Sequence, residues 1–332
     1  MRGEAERLLG ESPAFLKVLE DVSLVAPLEK PVLVVGERGT GKELIAARLH
    51  FLSNRWEGQY LKMNCAAITD SLMESELFGH EAGAFTGASK THHGRFERAH
   101  GGTLFLDELA TTSALVQEKL LRVIEYGEFE RVGGSRTLTC DVRLVAATNM
   151  DLPTMADAGE FRADLLDRLA FDVITLPPLR EREADILLLA EHFAVNMAKE
   201  LHWEYFSGFT ETASETLLEH RWPGNVRELK NVVERAVYKT DSGEPVDEIV
   251  LDPFESPYRP RTADTRTEEP SYGRPTLPMD LKTHVRDIEI ETIEAAMAEA
   301  RHNQRKAAEL LSLTYHQLRG YLKKYDLVGG DS

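Results

Sequence analysis

Over the first 180 positions the apolar residues come in short continuous runs rather than in alternation, at 31–35, 60–65, 103–106, 142–147 and 173–176. Runs of this kind suit strands buried on both faces, because a parallel sheet covered by helices has no wet side. Helix-length segments separate them, which predicts crossover connections and a doubly wound α/β sheet. From about residue 178 to 250 the strand pattern stops. Apolar positions recur there at helical spacing over 186–199, 210–220 and 226–238, predicting a helical subdomain. After residue 280 the helical period returns at Val285, Ile288, Ile293 and Ala296, marking a helix over 281–300, and a second helical unit runs to Leu327. No internal repeat interrupts this order.

Between 252 and 280 lie Pro253, Pro257, Pro260, Pro270, Pro275 and Pro278, six of the chain's 14 prolines, with many charges and few aliphatic residues. Such a stretch has too little apolar surface to form a core and reads as an extended linker. The predicted division is therefore an α/β unit over 1–177, a helical lid over 178–251, a linker over 252–280 and a helical end domain over 281–332.

Charge narrows the partners. The 332 residues carry 39 basic and 56 acidic side chains, a formal net of −17, which excludes a general coat on nucleic acid or on an anionic membrane. Any such contact must be local. Cys65 and Cys140 are too few for a disulfide framework and lack zinc-site spacing, so both are expected to be reduced core thiols. The longest aliphatic run, 186–190, falls far short of the roughly 18 apolar residues a membrane span needs, and the amino terminus has no secretory h-region, so a cytoplasmic protein is expected.

The chemistry starts after the first strand. Gly36, Glu37, Arg38, Gly39, Thr40, Gly41 and Lys42 match the phosphate-loop pattern of glycine, four residues, glycine and lysine. Glycines let backbone N–H groups converge on phosphate oxygens, Lys42 brings a point charge to the outer phosphates, and the following helix aims its positive end at them. Glu43 stands where a hydroxyl normally reaches Mg²⁺. The metal must then lean on Asp107, which with Glu108 ends the apolar run 103–106 at the carboxyl edge of the sheet. Asp107 would hold Mg²⁺ and Glu108 would polarise the attacking water, so hydrolysis of ATP is the favoured reaction. Thr148 and Asn149 close another strand and Asn64 a third; all three either face the γ-phosphate or simply form turns. Arg162 and Arg168 fit either a catalytic role or a solvated helix face.

The run Gly83, Ala84, Phe85, Thr86, Gly87, Ala88, preceded by Glu76 to Glu81, resembles the signature loop of the AAA+ activators of sigma-54 RNA polymerase, the bacterial enhancer-binding proteins. Their phosphate loop also commonly carries glutamate after the lysine, as at Glu43. The likeness continues through Trp222 to Leu229 and covers about residues 8–250. It implies an AAA+ fold, with Arg162 and Arg168 as arginine fingers reaching the ATP of a neighbouring subunit, and hence a hexameric homo-oligomer. It further implies that Thr148 and Asn149 form the first sensor, that Arg227 forms the second, and that Asn64 is a switch residue pairing with Glu108. The signature loop would contact sigma-54 through Phe85 and Thr86; on the residues alone, Phe85 fits a buried turn as well as an exposed anchor. Residues 126–139, with Arg131, Gly133 and Gly134, would be a second pore-side loop coupled to it.

Residues 303–324 read as helix, tight turn and helix, similar to the Fis-type helix-turn-helix of the same activators. From Arg301 to Lys324 six basic residues face one acid, Glu309, which leaves the rest of the chain at about −22. Thr314 would cap the second helix, while Arg305, Lys306, Tyr315, His316, Gln317, Arg319 and Lys323 would meet bases or phosphates of enhancer DNA. A basic hairpin for protein contact fits the same residues. The apolar helix before it suggests dimerisation. The helix starting at Ser12 already belongs to the ATPase, so no receiver domain is expected ahead of it, and control would come from another protein. That architecture resembles the phage-shock members of the family, held inactive by a trans-acting repressor of the phage shock protein A type. Trp56, in a polar loop, is either an exposed anchor for that repressor or half-buried. The function expected is an ATP-driven sigma-54 activator; an unfoldase- or helicase-type motor with a DNA tether, or a DNA binder in which ATP only sets the oligomeric state, are the alternatives.

Overall fold

The structure is a computed structural model describing residues 8–254, 259, 280–300 and 303–325, in two compact units that divide at Pro253 and Phe254. Most of the predicted linker, together with Arg301 and Leu327, lies outside the described residues. In the first unit, helix α1 (Pro13–Val25) starts where the Ser12 hydroxyl accepts the N–H of Phe15 and Pro13 presets the helical φ. Its stripe Phe15, Val18, Val22 and Val25 faces the core. There follow β1 (Val32–Val35), α2 (Lys42–Phe51), β2 (Tyr60–Asn64), α3 (Asp70–Phe78), α4 (Arg95–Arg98), β3 (Thr103–Asp107) and α5 (Ala114–Tyr126). A hairpin of β4 (Glu128–Glu130) and β5 (Thr137–Thr139) precedes β6 (Arg143–Thr148), α6 (Leu152–Asp157), α7 (Ala163–Leu169) and β7 (Val173–Thr175). The span 126–139 is thus not all loop. Its Glu-Phe-Glu and Thr-Leu-Thr triplets are too short for a periodicity argument to register.

The main sheet is parallel in the order β2-β3-β6-β1-β7. Alternate residues of its strands enter separate cores. Leu33, Leu104, Leu106, Leu144 and Ala146 pack with α3, α5 and α7, whereas Val32, Val34, Phe105, Val145 and Ala147 pack with α1 and α2. Burial on both faces explains the continuous apolar runs. Cys65 is buried as expected, but Cys140 is only half-buried, because it follows the short hairpin at the rim rather than a central strand.

Three helices form the lid: α8 (Glu183–Glu200), α9 (Glu211–Glu219) and α10 (Asn225–Lys239), around Leu179, Ile186, Leu217, Trp222, Leu229 and Val233. Trp222 is fully buried and donates its indole N–H to the Leu217 carbonyl at 2.9 Å. The lid is tied to the α1 end by Asp185, also fully buried, which accepts the backbone N–H groups of Glu11 and Ser12, the Ser12 hydroxyl and Arg182 Nε. Burial pushes the Asp185 pKa up, but these donors outweigh it and hold the carboxyl below its ordinary value. The Arg182 guanidinium lies 3.8 Å over the Phe15 ring.

The second unit contains α11 (Leu281–Glu299), α12 (Gln304–Leu310) and α13 (Tyr315–Lys324), closed around Ile293, Ala300, Ala307, Leu318 and Leu322. Among the described residues, no helix is long and apolar enough to cross a membrane.

Candidate functional site

The phosphate loop leaves β1 at Gly36 and enters α2 at Lys42. Gly39 and Gly41 hold φ of 78° and 96°, a region closed to most side chains, which turns successive N–H groups to one side. Gly39 has a second reason to lack a side chain, since a Cβ there would stand 2.3 Å from the Gly224 carbonyl oxygen of the lid. Thr40 is buried and its hydroxyl donates to the Glu37 carbonyl at 2.8 Å. Lys42 Nζ donates to the carbonyls of Gly36 and Glu37 at 2.8 and 3.1 Å. Burial lowers the Lys42 pKa, while the carboxylates of Asp107 and Glu108 pull it back up.

Register brings the remaining groups to the same edge. Val35 stands opposite Thr148, and Asn64 opposite Asp107, so the ends of β1, β2, β3 and β6 share one rim. Asp107 is half-buried and burial raises its pKa; Oδ1 accepts the Glu108 N–H at 3.0 Å, and among the described residues Oδ2 takes no protein hydrogen bond. Glu108 has φ 54°, a left-handed conformation that a non-glycine residue adopts at a cost and that clusters at functional sites. Thr148 is fully buried; its carbonyl accepts the Gly36 N–H at 3.2 Å and its hydroxyl the Met150 N–H at 3.0 Å. Asn149 follows it at the strand end.

Several expected contacts take another form. Asn64 does not bond Glu108. Its Oδ1 accepts the Ala66 N–H at 2.9 Å, the capping role a strand-end asparagine readily adopts. The Glu37 side chain does not face the phosphate side of the loop but is bound by Arg180 and Asn225 of the lid. Glu43 pairs with Lys62 at the surface. Arg162, partly exposed, pairs with Asp164 at 2.6 Å, and Arg168, exposed, pairs with Glu125 at 2.7 Å. Arg227 is exposed on the first turn of α10, close to Gly39. Asn225 and Arg180 escaped sequence reasoning: an asparagine after Pro-Gly looks like a turn former, and Arg180 sits in a run of alternating charges.

The loop carrying Phe85 and Thr86 stands between α3 and α4. Phe85 is 44% exposed with its ring edge on His80, centroids 4.9 Å apart, which decides against the buried turn. Gly83 and Gly87 hold φ of 85° and 103° with open space around them, and the loop closes through the Gly83 N–H donating to the Ala88 carbonyl at 2.7 Å. The β4–β5 hairpin grips its base. Val132 exchanges backbone bonds with Gly79 and Glu81, Gly133 abuts Ala84, and Arg131 bridges Glu81 at 2.8 Å and Glu97 at 2.6 Å.

In the second unit Thr314 caps α13 through a capping box, its hydroxyl accepting the Gln317 N–H while Gln317 Oε1 accepts the Thr314 N–H. Gln317 therefore has its carbonyl oxygen engaged within the helix start. Arg305, Lys306, His316, Arg319 and Lys323 are exposed and Tyr315 is half-buried. Thr314→Ala is expected to destabilise α13 by about 1 kcal/mol. Amide exchange at Gln317 and Leu318 measures it, and unchanged protection would refute the cap's contribution.

Comparison with known proteins gives a consistent picture. Residues 8–175 match the Sigma-54 interaction domain, 180–269 the AAA+ ATPase lid domain, and 284–325 the bacterial regulatory protein, Fis family. The chain is 60% identical over 323 residues to the Psp operon transcriptional activator of Escherichia coli (strain K12), covering 97% of this chain and 98% of that protein. It is 43% identical to the Nif-specific regulatory protein of Azotobacter vinelandii over 95% of its own length, which spans 58% of that relative. Among solved structures, NtrX from Brucella abortus in complex with ATP aligns with TM-score 0.69 and 32% identity, over 96% of this chain and 70% of NtrX. The ADP complex gives TM-score 0.69 at 33% identity, with the same coverage.

Proposed function

The chain belongs to the sigma-54-interacting AAA+ transcription activators, and we propose that it works as a hexameric ring whose ATP sites are completed by arginines from the neighbouring subunit. It is an ATPase and a sigma-54-dependent activator with a Fis-type DNA-binding domain. The observation that carries the proposal is the placement of Arg162 and Arg168. Arg168 on α7 is exposed and Arg162 at its start is partly exposed, and each pairs with an acid of the same surface, an arrangement that leaves them available to a neighbouring subunit's nucleotide.

Within one subunit, loop N–H groups and Lys42 hold the phosphates, and Glu108 takes a proton from the attacking water. Mg²⁺ bound with ATP would neutralise developing phosphate charge. Asp107, with one free oxygen, suits a metal that keeps most of its ligands as water and phosphate. Thr148 and Asn149 serve as the first sensor and Arg227 as the second; Asn64 serves as a switch only once it leaves its cap on Ala66. Movement passes to Phe85 and Thr86 through the base of their loop, held by the hairpin and Arg131. Likeness to the Psp operon activator supports a stress-response role and a separate repressor of the phage shock protein A type. Trp56 is 58% exposed, as an aromatic anchor for that contact requires. Arg305, Lys306, Tyr315, His316, Arg319 and Lys323 would bind the enhancer. The sigma-54 and Fis-type matches favour activation over the unfoldase or helicase reading.

Shared sites predict complementation. Lys42→Ala and Arg168→Ala chains, each inactive alone, should regain hydrolysis when mixed, at about one interface in four for random head-to-tail assembly. Hydrolysis that stays at the level of the separate variants would refute the shared site.

A further inference from the structure

Glu37 lies in the phosphate loop yet makes its contacts on the far side, with the lid. Its carboxylate takes Arg180 Nη2 and Nη1 at 2.6 and 3.0 Å, a two-point pairing, and Asn225 Nδ2 at 3.0 Å. The same Asn225 amide donates to the Arg38 carbonyl at 3.0 Å, and its Oδ1 accepts the Leu179 N–H at 2.8 Å. Asn225 is fully buried, has φ 52° and is the first residue of α10. Next to it the Gly224 carbonyl touches the loop where Gly39 has no side chain. The loop and the lid thus meet at two adjacent points, both just before Arg227.

A single exposed ion pair would contribute little. Here the pairing is bidentate, and its acceptor is shared with a buried amide whose other acceptor, the Arg38 carbonyl, belongs to the same loop, so the contacts hold or release together. Arg180 and Asn225 hold the Glu37 carboxyl down to about 2, so it stays ionised at any working pH.

The geometry points to Glu37 as a positioning residue: with Arg180 and Asn225 it latches the lid onto the phosphate loop and so sets where Arg227 stands against the nucleotide. This rests on the ATPase reading above. Because the same loop backbone binds phosphate, a shift of the loop reaches the lid without an intermediary, and lid closure favours the binding conformation of the loop in return. If the latch fails, the competent closed state is less populated and ATP must close the lid itself, which weakens apparent affinity and leaves the saturated rate nearly unchanged.

Full-length Glu37→Gln and Arg180→Met test this, since Arg180 is partly exposed and its loss leaves the lid core intact. Two readouts are taken, steady-state ATP hydrolysis and binding of a fluorescent ATP analogue. Each variant is expected to raise KM and Kd about five- to tenfold with kcat within about twofold. Arg180→Lys should recover part of the loss, and Glu37→Gln with Arg180→Met together should be no worse than the weaker single variant. Unchanged Kd in both variants overturns the latch, as does a fall in kcat at constant KM, or single effects that multiply. The analogue arm judges the latch even if the wild type failed to hydrolyse ATP, a result that would count against the ATPase reading alone.

Discussion

Glu108→Gln is expected to lower ATP hydrolysis about 10³-fold, within the range for removal of a general base, while ATP binding stays near that of the wild type. The substitution keeps the shape of the side chain and removes its basicity. Glu108 stands directly after β3 with φ 54°, and its carbonyl accepts the Thr111 hydroxyl at 2.8 Å, so the strained backbone is held by the turn that follows. Such a conformation beside the phosphate loop, one position past Asp107, is what a residue serving the reaction is expected to show. Single-turnover hydrolysis with a parallel binding measurement separates the two effects. Hydrolysis within tenfold of wild type would exclude Glu108 as the base, and loss of binding would mean that it supports the loop instead.

The second large effect is expected at the exposed loop. Phe85→Ala should reduce activated transcription from a sigma-54 promoter about 30-fold to several hundredfold, the range for truncating a central interface anchor, with hydrolysis unchanged within about twofold. Thr86→Ala should show the same separation. Phe85 is partly exposed and touches its own subunit at the His80 ring edge, so its truncation removes little core. The open space around Gly83 and Gly87 leaves the tip free to move, and the ion pairs of Arg131 hold the base. In vitro transcription on a preformed closed complex, paired with phosphate release, measures both. Wild-type activation by Phe85→Ala would remove the loop from the contact, and parallel loss of hydrolysis would make it part of the ATPase.

How legible the site was depended on how local its chemistry is. The glycines and lysine of the phosphate loop act through backbone geometry within seven consecutive residues, so spacing alone carried them. Asp107 and Glu108 were visible because an apolar strand ends in two acids. Asn64 is less local: whether an asparagine at a strand end pairs with Glu108 or caps the next turn is set by its tertiary surroundings, and in this structure it caps Ala66. Gln317 has a second role that only its neighbours reveal: three residues after Thr314, its carbonyl oxygen closes a capping box.

By itself the sequence determined the parallel sheet, the lid, the basic helical end and the composition of the phosphate site, since each depends on periodicity or spacing over neighbouring residues. Only the tertiary structure decided what distant residues do to one another. Glu37 and Asn225 are separated by 188 positions and Ser12 and Asp185 by 173, yet the first pair joins the phosphate loop to the lid and the second joins α1 to it. No local pattern encodes such pairs, because their hydrogen bonds exist only once the sheet and the lid have brought the partners within about 3 Å.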